Sequence, residues 1–210
     1  MQHPTLILEA VADYELWFWH AHFDLPGALN DINVLHRSDV FDELSSGQGP
    51  EVKFTVNGNE YNMGYYLADG IYPSWATLIK GIHAPVGLKH KHFTMMQSAY
   101  RKDVERAFGV LQAWYHIVKQ SSRLWSHAIL CNIMKCCIIL HNMTIEDERG
   151  QALPQDYEGA THPTYLQGRA AQLIADLIAR YRQIRSKETH SSLLDDLVEH
   201  VWQHVPQREW

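Results

Sequence analysis

The stretch YYLADGIYPSW, residues 65–75, raises the question on which the interpretation of this chain depends. An apolar run rises to Leu67 and Ala68, meets a single acidic residue, Asp69, and stops at Gly70. Asp followed by Gly commonly forms a turn, so Asp69 has an ordinary structural explanation. A carboxylate at the end of a buried strand can also serve a binding site, because ligands gather at the carboxyl ends of strands in open α/β sheets. Both interpretations are open at this point.

The composition is that of a folded domain. The chain has 210 residues, of which 46% are apolar and 20% are charged, and this length suits one sizeable core, with or without an appended subdomain. The formal net charge is −6. Contact with nucleic acid would therefore need a local basic patch, because the overall charge repels phosphate.

Cysteine use and hydropathy predict an intracellular protein. Cys131, Cys136 and Cys137 lie close together in an apolar helical pattern, which favours reduced core thiols over a disulfide framework. No uninterrupted apolar run approaches the ~18 residues that cross a bilayer, and the N-terminus lacks a secretory pattern, so we expect no membrane partner. The chain opens almost directly on a strand-like run, as if it began within a fold.

Strand signals dominate the first third of the chain. The predicted strands cover residues 5–12, 16–23, 52–56 and 61–67. The first two are predicted to form an antiparallel hairpin. Asn57-Gly58, between the last two, is the strongest short signal for a two-residue hairpin turn. We expect the returning strand to run on to Asp69.

Helical signals dominate the remainder. The predicted helices cover residues 32–44, 74–80, 95–119, 126–145, 165–187 and 191–203. Spacings of three and four positions mark a buried stripe in each of the two longest, formed by Val104, Phe108, Leu111, Tyr115 and Val118 and by Ile129, Ile133, Cys136, Leu140 and Met143. Strands followed by helices predict an α/β or α+β architecture. We expect a main domain over residues 1–148, a linker over 149–163 and a helical extension over 164–210.

Two acidic residues are candidates for a metal site. Glu105 follows Asp69 by 36 positions and flanks the apolar stripe of its predicted helix, so it can face the sheet. Paired carboxylates suit Mg²⁺ or Mn²⁺, since hard cations take oxygen ligands. The ordinary alternative for Glu105 is an exposed ion pair with Arg101, four positions earlier on the helix.

Basic residues are frequent in the sequence around Glu105. They are Lys89, Lys91, Arg101, Lys102 and Arg106. Contacts with DNA phosphates are the functional interpretation, and a solvated helix face is the alternative. The His-X-His pairs at 20/22 and 90/92 lack a Cys or acidic partner at ligand spacing, so zinc is disfavoured.

Four segments in order resemble a known family. They are PGALNDINVL (26–35), YYLADGIYPSW (65–75), RKDVERAFGVLQ (101–112) and IILHNMTIEDER (138–149). Together they resemble the nuclease domain of Harbinger-type transposases, especially the plant transposon proteins of that group. The resemblance implies an RNase H-like fold, a DDE catalytic triad with a divalent metal cofactor, DNA as partner and a nuclear location. Within it, Asp69 matches the second acid and Glu105 the third.

The resemblance is incomplete at its start. The family's first catalytic Asp belongs to a strand upstream of residue 5, and no matching acid stands in residues 1–4. We therefore expect an incomplete mixed sheet and little cleavage by this chain alone. The family's DNA-reading helix-turn-helix region is also missing, which leaves room for a DNA-binding partner protein. Asp31 is the best substitute acid, although a helix N-cap explains it equally well.

A second function of a different class is open. A domesticated nuclear protein could keep this fold as a non-catalytic scaffold for a partner protein. The sequence predicts no oligomeric state and no DNA target.

Overall fold

A computed structural model describes residues 6–26, 52–120, 126–148 and 170–205. The strands are β1 (Leu6–Ala12), β2 (Phe18–Pro26), β3 (Phe54–Val56), β4 (Asn59–Tyr61), β5 (Tyr66–Ala68) and β6 (Leu78–Lys80). The helices are α1 (Gly87–Arg101), α2 (Asp103–Trp114), α3 (His116–Lys119), α4 (His127–Glu148), α5 (Ala170–Ile184) and α6 (Lys187–Gln203). This is a mixed α/β protein with small sheets. It divides into two compact units, a first of residues 1–39 and 102–166 and a second of residues 40–101 and 167–210.

The first unit is built on the predicted hairpin. β1 and β2 pair antiparallel from Leu6 opposite Pro26 to Ala12 opposite Phe18, which confirms that prediction. The side chain of Asp13 organises the turn, since its Oδ1 accepts hydrogen bonds from the Glu15 and Trp17 backbone N–H groups at 2.9 and 3.1 Å. Short polar side chains stabilise turns in this way by replacing a backbone acceptor.

Helices α2 and α4 bury apolar faces against this hairpin. The core of the first unit consists of Phe18, Ala107, Leu111, Met134, Cys137 and Ile138. Phe108, Tyr115 and Val118 are partly buried against it, so the stripe predicted around Leu111 is broadly confirmed. The apolar residues that flank Glu105 in the sequence are therefore core packing.

The second unit contains the other predicted hairpin. β3 and β4 pair antiparallel across Asn57 and Gly58, whose φ angles of 51° and 86° place both residues in the left-handed region. That geometry is what the Asn-Gly pair predicts. The carboxylate Oδ2 of Asp196 in α6 then accepts hydrogen bonds from Asn59 and from Tyr61, at 2.8 and 2.5 Å. These bonds, the Tyr61 bond foremost, lower the pKa of the Asp196 carboxyl.

Strand β5 pairs with β6 in parallel, from Tyr66 opposite Leu78 to Ala68 opposite Lys80. The core of this unit contains Val56, Ile79, Phe93, Leu193, Leu197 and Val198, drawn from β3, β6, α1 and α6. Ser186 caps α6, its Oγ accepting from the Thr189 N–H at 3.1 Å. Both C-terminal helices were predicted, with boundaries a few residues away.

Three element predictions were wrong. Residues 74–80, predicted as a helix, end in strand β6, because Leu78 and Ile79 are both buried and a short apolar run can satisfy a strand as well as a helix. The returning strand stops at Tyr61 and restarts at Tyr66, so β4 and β5 are separate. The predicted helix 95–119 starts earlier, at Gly87, and is divided at Lys102 and Tyr115. The predicted helix 32–44 and Asp31 lie outside the described residues.

The helix predicted over 126–145 exists as α4, but the predicted stripe is not its buried face. The buried side chains are Met134, Cys137, Ile138, His141 and Ile145. The predicted face is largely exposed, and Cys136, expected in the core, is exposed as well. Both faces of this helix are apolar, so spacing alone could not choose between them. All three cysteines are free thiols, as expected.

Helix α4 bears on the expectation that the chain has no membrane partner, which stays a prediction. It has 22 residues, and an 18-residue window within it has mean hydropathy 1.6, so by length and composition it could cross a bilayer. Core helices of soluble proteins pass the same test, and this helix buries one face in the first unit.

Candidate functional site

Asp69 follows β5 directly, at the carboxyl end of the parallel strand pair, as the sequence predicts for the end of a strand. Its side chain is 57% exposed. The Gly70 backbone N–H donates to its Oδ1 at 2.6 Å, and its Oδ2 lies 3.9 Å from Nη1 of Arg101 at the end of α1. An ion pair that long and exposed holds the carboxylate weakly. The carboxylate is therefore accessible to a cation.

A buried amide fixes the strands that carry Asp69. Gln97 in α1 is 5% exposed, and its Nε2 donates to the carbonyls of Ala68 at 3.0 Å and Ile79 at 3.2 Å. The bond to Ala68 holds the residue immediately before Asp69. Gln97 was not among the residues predicted for the site. Its position four residues after Phe93, on the buried face of α1, is the signal that identifies it.

A lysine supports the loop on the other side of Asp69. The Tyr72 backbone N–H donates to the Asp69 carbonyl at 3.2 Å, which closes a tight turn. Lys80, the last residue of β6, donates from Nζ to the Tyr72 carbonyl at 2.7 Å. Asp69 is thus both a turn residue and an exposed carboxylate, and the two interpretations of the sequence do not exclude each other.

Glu105 lies in the first turn of α2 and is exposed. Asp103, also in that turn, accepts from Arg106 at 2.5 Å. Glu105 belongs to the first unit and Asp69 to the second. Their convergence on one cation stays a prediction.

The predicted phosphate contacts differ in their surroundings. Lys89 forms an ion pair with Glu199 of α6, and Arg106 pairs with Asp103. Lys91 and Lys102 are exposed, and the side chain of Arg101 is 24% exposed. Paired bases are partly neutralised, so Lys91 and Lys102 are the strongest candidates for contact with phosphate.

No group of three His, Cys, Asp or Glu side chains that could hold a metal occurs among the residues for which the structure gives positions. A hard cation at Asp69 would keep several waters and needs fewer protein ligands than zinc does.

The HNM segment, quoted above for its resemblance, supports the hairpin of the first unit. His141 is fully buried, and its Nε2 lies 2.8 Å from the Leu16 carbonyl. Its ring packs between Phe18 and Trp114, with centroids 5.0 Å from each. Burial lowers the pKa of His141, an effect that the bond to the Leu16 carbonyl partly opposes. The segment therefore has a structural role in this unit.

Together these features describe a mixed α/β protein with an accessible carboxylate at the end of a parallel strand pair. The chain belongs to the plant transposon protein family, which it matches over residues 1–152. That match covers all four quoted segments. No curated protein and no solved structure matches the chain.

Proposed function

We propose that the chain is part of the nuclease domain of a Harbinger-type transposase, with an RNase H-like fold and a DDE-type site that cleaves DNA in the nucleus. Asp69 and Glu105 are the proposed catalytic acids. The observation that carries the proposal is the exposed carboxylate of Asp69 at the carboxyl end of the β5–β6 pair. Membership of the plant transposon family supports the reaction class.

The residues around Asp69 fit a divalent metal. Its carboxylate is more than half exposed, and the arginine beside it is 3.9 Å away, so a cation can replace that weak contact. Oxygen ligands are the preferred donors for Mg²⁺ and Mn²⁺. Bound metal would activate a water or a DNA 3′-hydroxyl and stabilise the leaving oxygen of a phosphoryl displacement. Asp69 and Glu105 would hold the metal, while Gln97 keeps the strand ends fixed.

Two carboxylates supply few ligands for two metal ions. We therefore expect strong metal dependence but weak cleavage by this chain alone. Asp31, the best substitute acid in the sequence, lies outside the described residues.

Metal binding is the most direct test. In a titration of the full chain with Mn²⁺, followed by the loss of the free Mn²⁺ EPR signal, Asp69→Asn should weaken binding at least about tenfold, or ~1.4 kcal/mol. Asp176→Asn, which changes an exposed acid of α5 in the same unit, is the matched control and should bind like the wild type. Equal binding by all three proteins would remove Asp69 from the proposed site.

Cleavage is measured separately with supercoiled plasmid and Mg²⁺ or Mn²⁺. We expect little nicking. Robust nicking that Asp69→Ala abolishes would confirm the nuclease and refute the expectation that this chain is nearly inactive.

The salt dependence of the affinity for DNA tests the predicted phosphate contacts. Lys91→Gln and Lys102→Gln should each reduce the slope of log K against log salt by about 1 if each lysine neutralises one phosphate. Lys135→Gln on α4 is the control, because that exposed lysine is not one of the predicted phosphate contacts. An unchanged slope in all three variants would exclude these phosphate contacts.

A non-catalytic scaffold in the nucleus is the second candidate function. In that role the chain would bind a partner protein and would not cleave DNA. The intact HNM helix, with exposed acidic residues at Glu146, Asp147 and Glu148, suits such a scaffold. The absence of Asp69-dependent metal binding, together with no detectable DNA binding, would favour the scaffold.

A further inference from the structure

Helix α4 carries an apolar stripe that the first unit leaves exposed. The stripe is the face predicted to be buried and consists of Ile129, Ile133, Cys136, Leu140 and Met143. Ile129 is 49% exposed, Leu140 48% and Met143 57%, while Ile133 is half-buried at the edge of the stripe and packs partly against the core of the first unit. Ile139, beside the stripe, is 58% exposed. From Ile129 to Met143 the stripe runs about 21 Å along the helix.

This face cannot be turned into the core of the first unit. The opposite face of α4 already packs there through Met134, Cys137, Ile138, His141 and Ile145. Asn142 and His141 also bind the main chain of the hairpin, at Phe18 and Leu16. Rotating the helix would break these bonds. The stripe is therefore fixed on the outside of the unit that contains it.

The spacing of the stripe is that of a helix-pairing seam. Its successive steps are four, three, four and three positions, which is the a/d pattern of two helices packed along their length. We propose that α4 pairs with α4 of a second copy of this chain, in antiparallel orientation. This proposal does not depend on the nuclease hypothesis.

The charges of α4 select the antiparallel orientation. Glu146, Asp147 and Glu148 make the last turn acidic, and that turn has no basic residue. This arrangement opposes the helix dipole, whose C-terminal end is already negative. Parallel pairing would bring six carboxylates together, with one basic residue, Arg149, following them in each copy. Antiparallel pairing places each acidic turn beside the partner helix's positive N-terminal end and its His127.

The a/d pattern also predicts which residues face each other in an antiparallel pair. Because an a position of one helix packs against a d position of the other, Cys136 would face Ile133 of the second copy, and Leu140 would face its Ile129. Cys136 is an exposed free thiol. Packed helix axes lie 8–10 Å apart, which brings facing residues within the Cα separation that a disulfide allows.

Sedimentation equilibrium of the full chain tests the pairing. A seam of this length is small for a protein interface, so we expect the mass to rise from 24.3 kDa toward twice that value as the concentration approaches about 100 µM. Leu140→Glu/Met143→Glu should return the mass to that of the monomer. Met95→Glu and Leu177→Glu are controls, because they add the same charge at exposed apolar positions of α1 and α5 and should leave the dimer intact.

Circular dichroism of each variant checks that the fold is retained, since both substituted α4 side chains are about half exposed. A wild-type mass of 24.3 kDa at every concentration would overturn the proposal. A chain that stays monomeric but floats with phosphatidylcholine vesicles would assign the stripe to a membrane and would overturn it as well.

Thiol cross-linking tests the orientation. In a Cys136→Ser background, copper–phenanthroline, as the oxidant, should join Ile129→Cys in one copy to Leu140→Cys in another when the two variants are mixed, and dithiothreitol should remove the dimer band. The native Cys131 and Cys137 should not interfere, because Cys137 is buried and the partly buried Cys131 thiol donates to the Phe23 carbonyl at 3.1 Å. Each variant alone should give little dimer, since antiparallel pairing keeps like positions apart. A strong band from each variant alone would show parallel pairing and would overturn the proposal.

Discussion

The side-chain amide of Asn142 in α4 binds both main-chain polar groups of Phe18 in β2. Its Oδ1 accepts from the Phe18 N–H at 3.0 Å, and its Nδ2 donates to the Phe18 carbonyl at 2.9 Å. Phe18 is 4% exposed, so water cannot replace these bonds easily. The Asn142 amide therefore forms the two hydrogen bonds that a neighbouring strand would otherwise form with Phe18, the first residue of β2.

Asn142→Ala should destabilise the first unit by about 2–3 kcal/mol, because two buried backbone groups lose their partner. Urea unfolding followed by tryptophan fluorescence measures the change. Asn132→Ala is the matched control, since Asn132 is an exposed asparagine of the same helix, and it should change the unfolding free energy by less than about 0.5 kcal/mol. Equal effects of the two substitutions would show that the amide contacts contribute little.

His141 should make the stability of the first unit depend on pH. Burial lowers the pKa of His141 in the folded state, whereas the unfolded value is about 6.5. Between these two values the unfolded chain binds a proton that the folded chain does not. The free energy of unfolding should therefore be highest above pH ~6.5 and fall as the pH falls toward the folded pKa.

His141→Gln removes this titration, so its unfolding free energy should vary less than that of the wild type between pH 7.5 and 5. The variant should also be less stable overall at pH 7.5, because the ring packs against Phe18 and Trp114. His116→Gln, at an exposed position of α3, should keep the wild-type pH profile. Parallel profiles for all three proteins would contradict the assignment.

Two glycine substitutions should have opposite effects. Gly58 has a φ of +86° in the β3–β4 turn, so Gly58→Ala should destabilise the protein by about 1 kcal/mol or more. Gly109 lies inside α2, and a Cβ built there meets no atom within 4 Å, so Gly109→Ala should stabilise it by up to ~1 kcal/mol. Urea unfolding measures both changes, and a shift of the same sign in both would refute this conformational argument.

The elements that the sequence predicted well are those with local signals. Asn57-Gly58 specifies its turn through the left-handed conformation that both residues adopt. The stripe around Leu111 specifies the buried face of α2, because the helix has only one strongly apolar face. The β1–β2 hairpin also follows from two β-rich runs separated by a polar turn.

The elements that it predicted wrongly depend on tertiary contacts. Residues 78–80 form a strand because β5 pairs with them, and no local pattern contains that pairing. In α4 both faces are apolar, and the contacts of Asn142 and His141 decide which one is buried. In the candidate site, Asp69 was found by its position at a strand end. Gln97 was missed because its partners are backbone carbonyls of residues 18 and 29 positions away.

Gln97 gives the sharpest test of how the strand ends support Asp69. Its amide joins the Ala68 and Ile79 carbonyls of β5 and β6, and Met has nearly the same length without the N–H donors. Gln97→Met should cost about 1–3 kcal/mol, because it leaves buried carbonyls without this donor. Gln112→Met, at an exposed position of α2, should change stability little.

Gln97→Met also tests whether Gln97 positions the Asp69 carboxylate or only stabilises the protein. Outer residues that orient a metal ligand commonly change metal affinity by 10- to 100-fold. If Asp69 holds a cation, Gln97→Met should weaken Mn²⁺ binding by about tenfold or more under conditions where the folded fraction, measured by circular dichroism, stays above about nine-tenths. Unchanged Mn²⁺ affinity in a less stable Gln97→Met protein would show that the amide only joins two strands, since a displaced Asp69 carboxylate could not bind the ion equally well.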